Sequence, residues 1–389
     1  MKKRITAFLT LALVAALILI PASAALAAPA ITLEIDGRVV ASDQAPIVKD
    51  GRTLVPVRVI TETLGATVSW NQTSRRVTVE TAGFTVVFTI GSKSYTVNGA
   101  SKTLDVPPEI SNGRTLVPIR ALAESIGADV NYDAAANKAT VNYFTGLKGS
   151  VKVSGSTTVL PIMQAAADEL LKSNSGLSIA VAGGGSGAGI NDTRDGANNV
   201  GMSSRELTAD EKSTLNPVAV AGDGIAIIVH PSNPVKSLTK EQAAKIFLGE
   251  IKNWRDVGGN NAPIFVQTRE TGSGTLSTLE EMLLEKNPVV GTATPFTSSA
   301  LIKQAVAKSE NAIGFDSIGF VDATVKAVAL DGVTPGEQTV KDGSYPLSRS
   351  LYVLTKGRAD GLSARLIDYL RTAGVQNNIV KKEGYISIY

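Results

Sequence analysis

One segment of this chain occurs twice. Gly51-Arg52-Thr53-Leu54-Val55-Pro56-Val57-Arg58 returns 62 residues later as Gly113-Arg114-Thr115-Leu116-Val117-Pro118-Ile119-Arg120. The same offset then holds without a gap: Leu64-Gly65-Ala66 matches Ile126-Gly127-Ala128, Trp70 matches Tyr132, and Val79 matches Val141. A repeat of this length is one supersecondary unit that buries its apolar face against its copy. In each copy Val57, Ile60 and Leu64, or Ile119, Leu122 and Ile126, mark one helical face. Alternating runs such as Ile31–Ile35 and Phe84–Phe88 read as strands. Residues 28–144 are therefore expected to form a small duplicated α+β domain, with hairpins and one short helix per copy. Arg58 and Arg120 recur with the repeat and read as surface or turn partners.

Beyond it the pattern changes. Residues 145–150, with Gly146 and Gly149, read as a linker. From 151 to 389 strand and helix signals alternate. Val151–Val153, Leu177–Ala182, Asn199–Met202, Pro263–Val266, Ile313–Phe315, Val325–Leu330 and Ser350–Leu354 read as strands. Ile162/Ala166/Leu170, Ala243/Phe247, Leu276/Leu279/Leu283 and Leu362/Leu366/Leu370 mark helix faces. Ala219–Val229 is apolar almost throughout, as a strand buried on both faces requires. This is an α/β pattern, and its length suggests two sheets rather than one.

The first residues carry a separate signal. Lys2, Lys3 and Arg4 precede a largely apolar run from Phe8 to Ile20, Pro21 breaks it, and Ala25-Leu26-Ala27 is a small-residue cleavage pattern. Residues 1–27 are expected to be a cleaved secretory signal peptide, too short and wrongly flanked for a spanning helix. That leader holds three basic and no acidic residues, so the remainder is balanced at 35 of each sign. The basic balance makes no case for nucleic acid or an anionic membrane as partner. There is no cysteine and one histidine, His230. Disulfides, thiolate metal sites, cysteine nucleophiles, a lipid anchor on cysteine and multi-histidine metal sites are excluded. His230, before Pro231, reads as a solvated or capping residue, and Trp254 as a packing anchor. No cofactor is expected.

Four strand ends in the second half carry the same chemistry. They are Gly155-Ser156-Thr157-Thr158, Gly183-Gly184-Gly185-Ser186-Gly187, Gly201-Met202-Ser203-Ser204-Arg205 and Arg269-Glu270-Thr271-Gly272-Ser273-Gly274-Thr275. Each offers hydroxyls and backbone N–H groups at the start of a helix, where the dipole favours negative charge. Thr158 reads as a helix N-cap, with Pro161 in the first turn. Ligands of open α/β sheets lie outside the carboxyl ends of the strands. These turns predict an anion held by neutral donors, helix termini and one fixed positive charge.

Gly183, Gly185 and Ala188 also fit G-x-G-x-x-A, but the acidic residue expected about twenty positions on is absent: that strand ends in Ser203-Ser204. No P-loop and no G-x-S-x-G motif is present.

Together, and in order, the four turns resemble the PstS-like phosphate-binding components of phosphate ABC importers. Asp223-Gly224-Ile225-Ala226, Ile246-Phe247-Leu248-Gly249, Asn253-Trp254 and Ala312-Ile313-Gly314-Phe315 add to the resemblance. It implies a two-lobed periplasmic-binding-protein fold of type II, with lobe I about 151–225 and 350–389 and lobe II about 226–349. It implies an anion buried between the lobes and delivered to a membrane ABC permease, with no bond made or broken. Carried over, Thr157 and Thr158 would bind through hydroxyl and N–H, and Ser186 through its hydroxyl. Arg269 would supply the charge, and Ser273, Gly274 and Thr275 would close the pocket. Ser204 stands where well-known members of the family have an aspartate that accepts the phosphate proton and repels sulfate. A Ser-Ser-Arg version resembles that of Gram-positive relatives, and phosphate stays the expected ligand. A monomer on the outer face of the cell envelope is expected. A second tetrahedral oxyanion, a sensor or adhesion role, or a phosphatase using the same anion site are the alternatives. The repeat resembles the copper amine oxidase N-terminal domain family, which implies a spacer or a cell-wall attachment. With no His and no Cys in it, no copper ligand set exists there.

Overall fold

The computed structural model describes residues 31–389, so the expected leader lies outside the described residues. In the first domain the helix and strands of one copy recur in the other at the same offset, apart from the strand Thr85–Thr89. The strands Arg52–Pro56 and Arg114–Pro118 pair antiparallel, with Val55 opposite Val117, at the centre of a four-stranded sheet. Each runs straight into a seven-residue helix, Val57–Thr63 or Ile119–Ser125. Gly65 and Gly127, at φ 71° and 76°, turn the chain out of those helices in the left-handed region where a Cβ would clash. Ile60, Leu64, Leu122 and Ile126 are fully buried. The first strand, Thr32–Ile35, pairs in parallel with the last, Lys138–Asn142, and so closes the domain on itself.

In the second half the expected linker is shorter than six residues, because the strand Lys148–Gly155 already begins at Lys148. It lies between Gly176–Gly183 and Val200–Ser203, parallel to both. Ser348–Lys356 and Leu215–Val229 extend this sheet antiparallel. The long strand Leu215–Val229 then changes partner. Up to Gly224 it pairs with Ser348–Lys356, and from Ile225 it pairs with Ala312–Ser317. Phe265–Arg269 and Thr294–Phe296 follow in parallel. The expected two sheets are thus one continuous ten-stranded ladder that passes between the lobes along a shared strand. Gly224–Val229 is buried throughout, as a strand covered on both faces requires.

Helices cover both lobe sheets. Ile162, Ala166 and Leu170 bury one face of Leu160–Lys172, and Leu366 and Leu370 one face of Gly361–Leu370. Trp254 is buried and its Nε1 donates to the Asn311 carbonyl, 3.0 Å, as a packing anchor would. The His230 ring bonds Ser232 Oγ, 2.7 Å.

The first domain packs on lobe I against the helix Gly361–Leu370, with Arg358 reaching Thr85 and Asn98 beside it. Asp368, fully buried, accepts from the Ala82 N–H at 2.7 Å and the Tyr143 hydroxyl at 2.5 Å. Arg365 lies 3.6 Å above the Tyr143 ring and donates to the carbonyls of Ile126 and Gly127. Apolar side chains from both sides of this seam form one core cluster. Burial pushes the Asp368 carboxyl up to about 6. The seam is therefore most stable with that acid protonated, below the ordinary carboxylate range, and loses stability as pH rises through about 6. Asp368→Ala leaves the Tyr143 hydroxyl and the Ala82 N–H without an acceptor. We expect it to lower the unfolding free energy by about 3 kcal/mol in urea denaturation. A loss below about 0.5 kcal/mol, the level of an ordinary surface change, would mean that the seam does not depend on this residue.

Candidate functional site

The four turns converge on the gap between the lobes. Lys148–Gly155, Gly176–Gly183 and Val200–Ser203 end on one side, and Phe265–Arg269 on the other. The helices Ser186–Asp195 and Gly274–Met282 begin at the gap. Glycine makes the approach possible on the lobe I side. A Cβ on Gly189 would lie 2.7 Å from the Gly155 Cα, so helix and strand touch backbone to backbone.

Arg269 is the centre of the cluster. It is 3% exposed, and no carboxylate lies within ion-pair distance of it among the described residues. Nε donates to the Phe296 carbonyl at 3.1 Å and Nη1 to Ser299 Oγ at 3.1 Å. Nη2 donates to the Thr297 carbonyl at 3.2 Å and to Thr157 Oγ1, in the other lobe, at 3.0 Å. Burial holds the guanidinium below its ordinary range, with Asp316 acting against that and Arg349 adding to it. A buried cation satisfied by neutral acceptors keeps a net positive potential in a low-dielectric gap, which is what an anion site needs.

All eight residues expected at the site meet here. Thr158 Oγ1 lies 3.1 Å from Thr275 Oγ1 across the gap. Ser186 Oγ accepts from the Ser204 N–H at 3.0 Å and lies 3.2 Å from Ser204 Oγ. Ser273 caps the helix Gly274–Met282, its Oγ accepting from the Leu276 N–H at 3.3 Å. Gly274 faces Ser186 and Ser204 so closely that an added Cβ would lie 2.3 Å and 2.7 Å from their hydroxyl oxygens. The Gly187 N–H donates to the Gly272 carbonyl at 2.9 Å, a backbone bond from lobe to lobe.

Thr158 is not the helix cap. The helix Leu160–Lys172 is preceded by Val159, and Ser156 Oγ accepts from the amides of Thr158 and Val159. Ser156 Oγ takes those amides in the turn before the helix, and the Thr158 hydroxyl faces Thr275 across the gap. Arg205 turns away and makes a two-pronged ion pair with Glu211, at 2.8 and 2.7 Å.

Four further residues line the site without having been singled out. Ser299, fully buried, joins Arg269 to Thr157, its N–H donating to Thr157 Oγ1 at 3.3 Å. Arg349 pairs with fully buried Asp223 at 2.7 Å and donates to the Ser204 carbonyl and to Thr275 Oγ1. Asp316 is 1% exposed, and burial pushes its carboxyl up to about 6. Asp223 and Asp316 had a signal in the sequence, since each is a lone carboxylate inside an apolar strand. Size does not distinguish the site: a hollow of about 730 Å3 lies at the seam between the domains, lined by Arg38, Glu62, Glu169 and Lys382 among others. Its charges are mixed, with no convergent set of donors.

Comparison with known proteins agrees with this architecture. Residues 134–372 match the PBP superfamily domain, and residues 34–141 match the copper amine oxidase N-terminal domain. The phosphate-binding protein PstS of Bacillus subtilis is 35% identical over 247 residues, 62% of this chain and 81% of that protein. A solved phosphate ABC transporter substrate-binding protein from Clostridium perfringens, with bound phosphate, is 39% identical with a TM-score of 0.59. That match covers 62% of this chain and 100% of the other. An ABC-type phosphate transport receptor from Vibrio cholerae is 35% identical with a TM-score of 0.53, over 61% and 99% of the two chains.

The close approach at Gly274 gives a direct test of lobe contact. Gly274→Ala is expected to open the gap at a cost of about 1–3 kcal/mol. Hydrogen exchange at the Gly187 amide should then speed up roughly tenfold or more while the core strands stay protected. Unchanged exchange at Gly187 would show that the lobes do not meet at Gly274.

Proposed function

This chain belongs to the PBP superfamily and, within it, to the PstS-type phosphate-binding proteins, and we propose from that premise that it captures inorganic phosphate between its lobes outside the cytoplasm and hands it to an ABC permease. The observation that carries this is Arg269, buried, without a carboxylate in ion-pair reach, and bonded to both lobes at once. A tetrahedral anion in this gap meets the guanidinium, the hydroxyls of Thr157, Thr158, Ser186, Ser204, Ser273 and Thr275, and the amides at the start of Gly274–Met282. Each lobe holds part of that donor set, so binding favours closure.

The chemistry supports binding rather than turnover. The half-buried His230 bonds Ser232 and lies outside the cluster. No cluster of three or more metal-binding side chains occurs among the described residues. The mature chain is taken to begin after residue 27, to act as a monomer, and to use its first domain as a spacer or cell-wall contact. That domain is docked on lobe I through Asp368 and Arg365. It therefore travels with lobe I when the gap opens.

Arg269→Ala is expected to weaken phosphate binding by roughly 2–5 kcal/mol, as when one partner of a buried charge pair is removed. Titration calorimetry with phosphate reads this as a loss of about thirtyfold or more. A loss under about tenfold would mean that Arg269 is not the charge that holds the anion.

A further inference from the structure

The duplicated domain carries two copies of one cleft, and phosphate capture uses neither. Val55 lies opposite Val117, its own repeat mate, so a two-fold axis passes between the paired strands. About that axis each copy brings its Gly-Arg-Thr turn against the helix start of the other. One hollow, of about 330 Å3, lies between Trp70 and Arg58 of the first copy and Ile110 and Arg114 of the second. The other, of about 370 Å3, repeats it with Tyr132 and Arg120 against Val48 and Arg52. Both reach the size of a small-ligand site, roughly 300–1,000 Å3. No residue of either lobe lines them, so docking on lobe I leaves both open.

Packing does not account for what lines these hollows. Trp70, Tyr132, Val48 and Ile110 are all exposed. A lone exposed apolar side chain is ordinary, but here four form two matched pairs inside two hollows. Most other exposed positions differ between the copies, such as Asp50/Asn112, Thr67/Asp129 and Gln72/Ala134, whereas both arginine pairs are kept. Arg52 and Arg114 each have a structural partner, Asp105 at 2.7 Å and Asp43 at 2.8 Å. Arg58 forms no ion pair among the described residues. Arg120 has Glu124 at 3.8 Å, an exposed contact worth little.

The rings offer their faces rather than their polar ends. Trp70 Nε1 donates to Gln72 Oε1 at 2.8 Å, and the Tyr132 hydroxyl lies 2.6 Å from Asn137 Oδ1. A ring face takes flat C–H surface, and a guanidinium takes an oxyanion. Sugar rings that carry fixed negative charge present both.

We propose that the two clefts bind an acidic polysaccharide, with Trp70 and Tyr132 as stacking platforms and Arg58 and Arg120 as its charge partners. The inference gives residues and a ligand chemistry to the cell-wall contact of the first domain, and rests on that contact rather than on phosphate binding. The clefts are unequal. Around Trp70 two arginines face Asp43, whereas around Tyr132 two arginines face Asp105 and Glu124. The Trp70 cleft keeps a net positive charge and the larger ring, and is the tighter of the two.

Titration of the full chain with dextran sulfate and with uncharged dextran, at saturating phosphate so that the gap is filled, tests this. Dextran sulfate should bind, and dextran at least about tenfold more weakly. Dextran sulfate should also shield tryptophan emission from acrylamide, because Trp70 is the exposed one of the two tryptophans and Trp254 is buried. Trp70→Ala removes no charge, yet should weaken dextran sulfate binding about tenfold, and Tyr132→Ala about threefold. Phosphate affinity should change in neither. Polyphosphate, which has charge but no rings, should leave Trp70 open to acrylamide. Equal dextran sulfate binding by the wild type and Trp70→Ala overturns the proposal. So does a wild type whose Trp70 stays quenchable, a result that needs no variant. A single-stranded oligonucleotide that shields Trp70 more strongly than dextran sulfate overturns the choice of a polysaccharide. Sedimentation with purified bacterial cell walls separates this proposal from the contact it rests on. Walls bound equally by the wild type and Trp70→Ala leave the contact standing without these clefts, and a wild type that binds no walls ends both.

Discussion

The structure depends on a buried guanidinium with no carboxylate in ion-pair reach. Removing a cation from water costs several kcal/mol even after relaxation, and Arg269 meets that cost with the carbonyls of Phe296 and Thr297 and two hydroxyls. Those neutral acceptors hold its geometry without neutralising its charge. Because Thr157 comes from the opposite lobe, the same guanidinium ties the lobes together. On the proposed reading, an anion drawn to that charge makes capture and closure one event rather than two.

The rest of the fold serves this placement. The strand Leu215–Val229 passes from one lobe to the other and changes partner at Gly224/Ile225, so the lobes share a ladder and not merely a linker. Around the gap, small residues allow contact between backbones: Gly189 on Gly155 within lobe I, and Gly274 on Ser186 between lobes. The duplicated domain adds nothing to the gap. Its seam with Gly361–Leu370 lies on lobe I, where Asp368, Arg365 and Arg358 all reach it.

Much of this was legible in the sequence because it is local. The repeat fixes two equal helix–hairpin units, and the expected helix faces in the second half are buried apart from half-buried Leu276 and Leu362. The four hydroxyl-rich turns are found at strand ends because such turns are built from neighbouring residues. What was not legible depends on distant partners. The parallel pairing of Thr32–Ile35 with Lys138–Asn142 joins the two ends of a domain, and no local pattern encodes it. The sharing of one strand by two lobes made the expected pair of sheets a single ladder. Thr158 has the composition of a cap, but the helix begins after Val159 with no side-chain cap, and only the path of the chain decides that. Asp223, Asp316 and Arg349 come from three strands, and their meeting is a property of the fold. A lone acid within an apolar run was the available sign for the first two.

The central claim is that the gap around Arg269 is the phosphate site. Its most direct test is a crystal structure of the full chain grown with phosphate. The account predicts one tetrahedral anion within hydrogen-bond distance of Arg269, Thr158 and the amides of Gly274 and Thr275, with the lobes closed on it. A phosphate bound elsewhere, or a closed gap that stays free of anion at saturating phosphate, would contradict it.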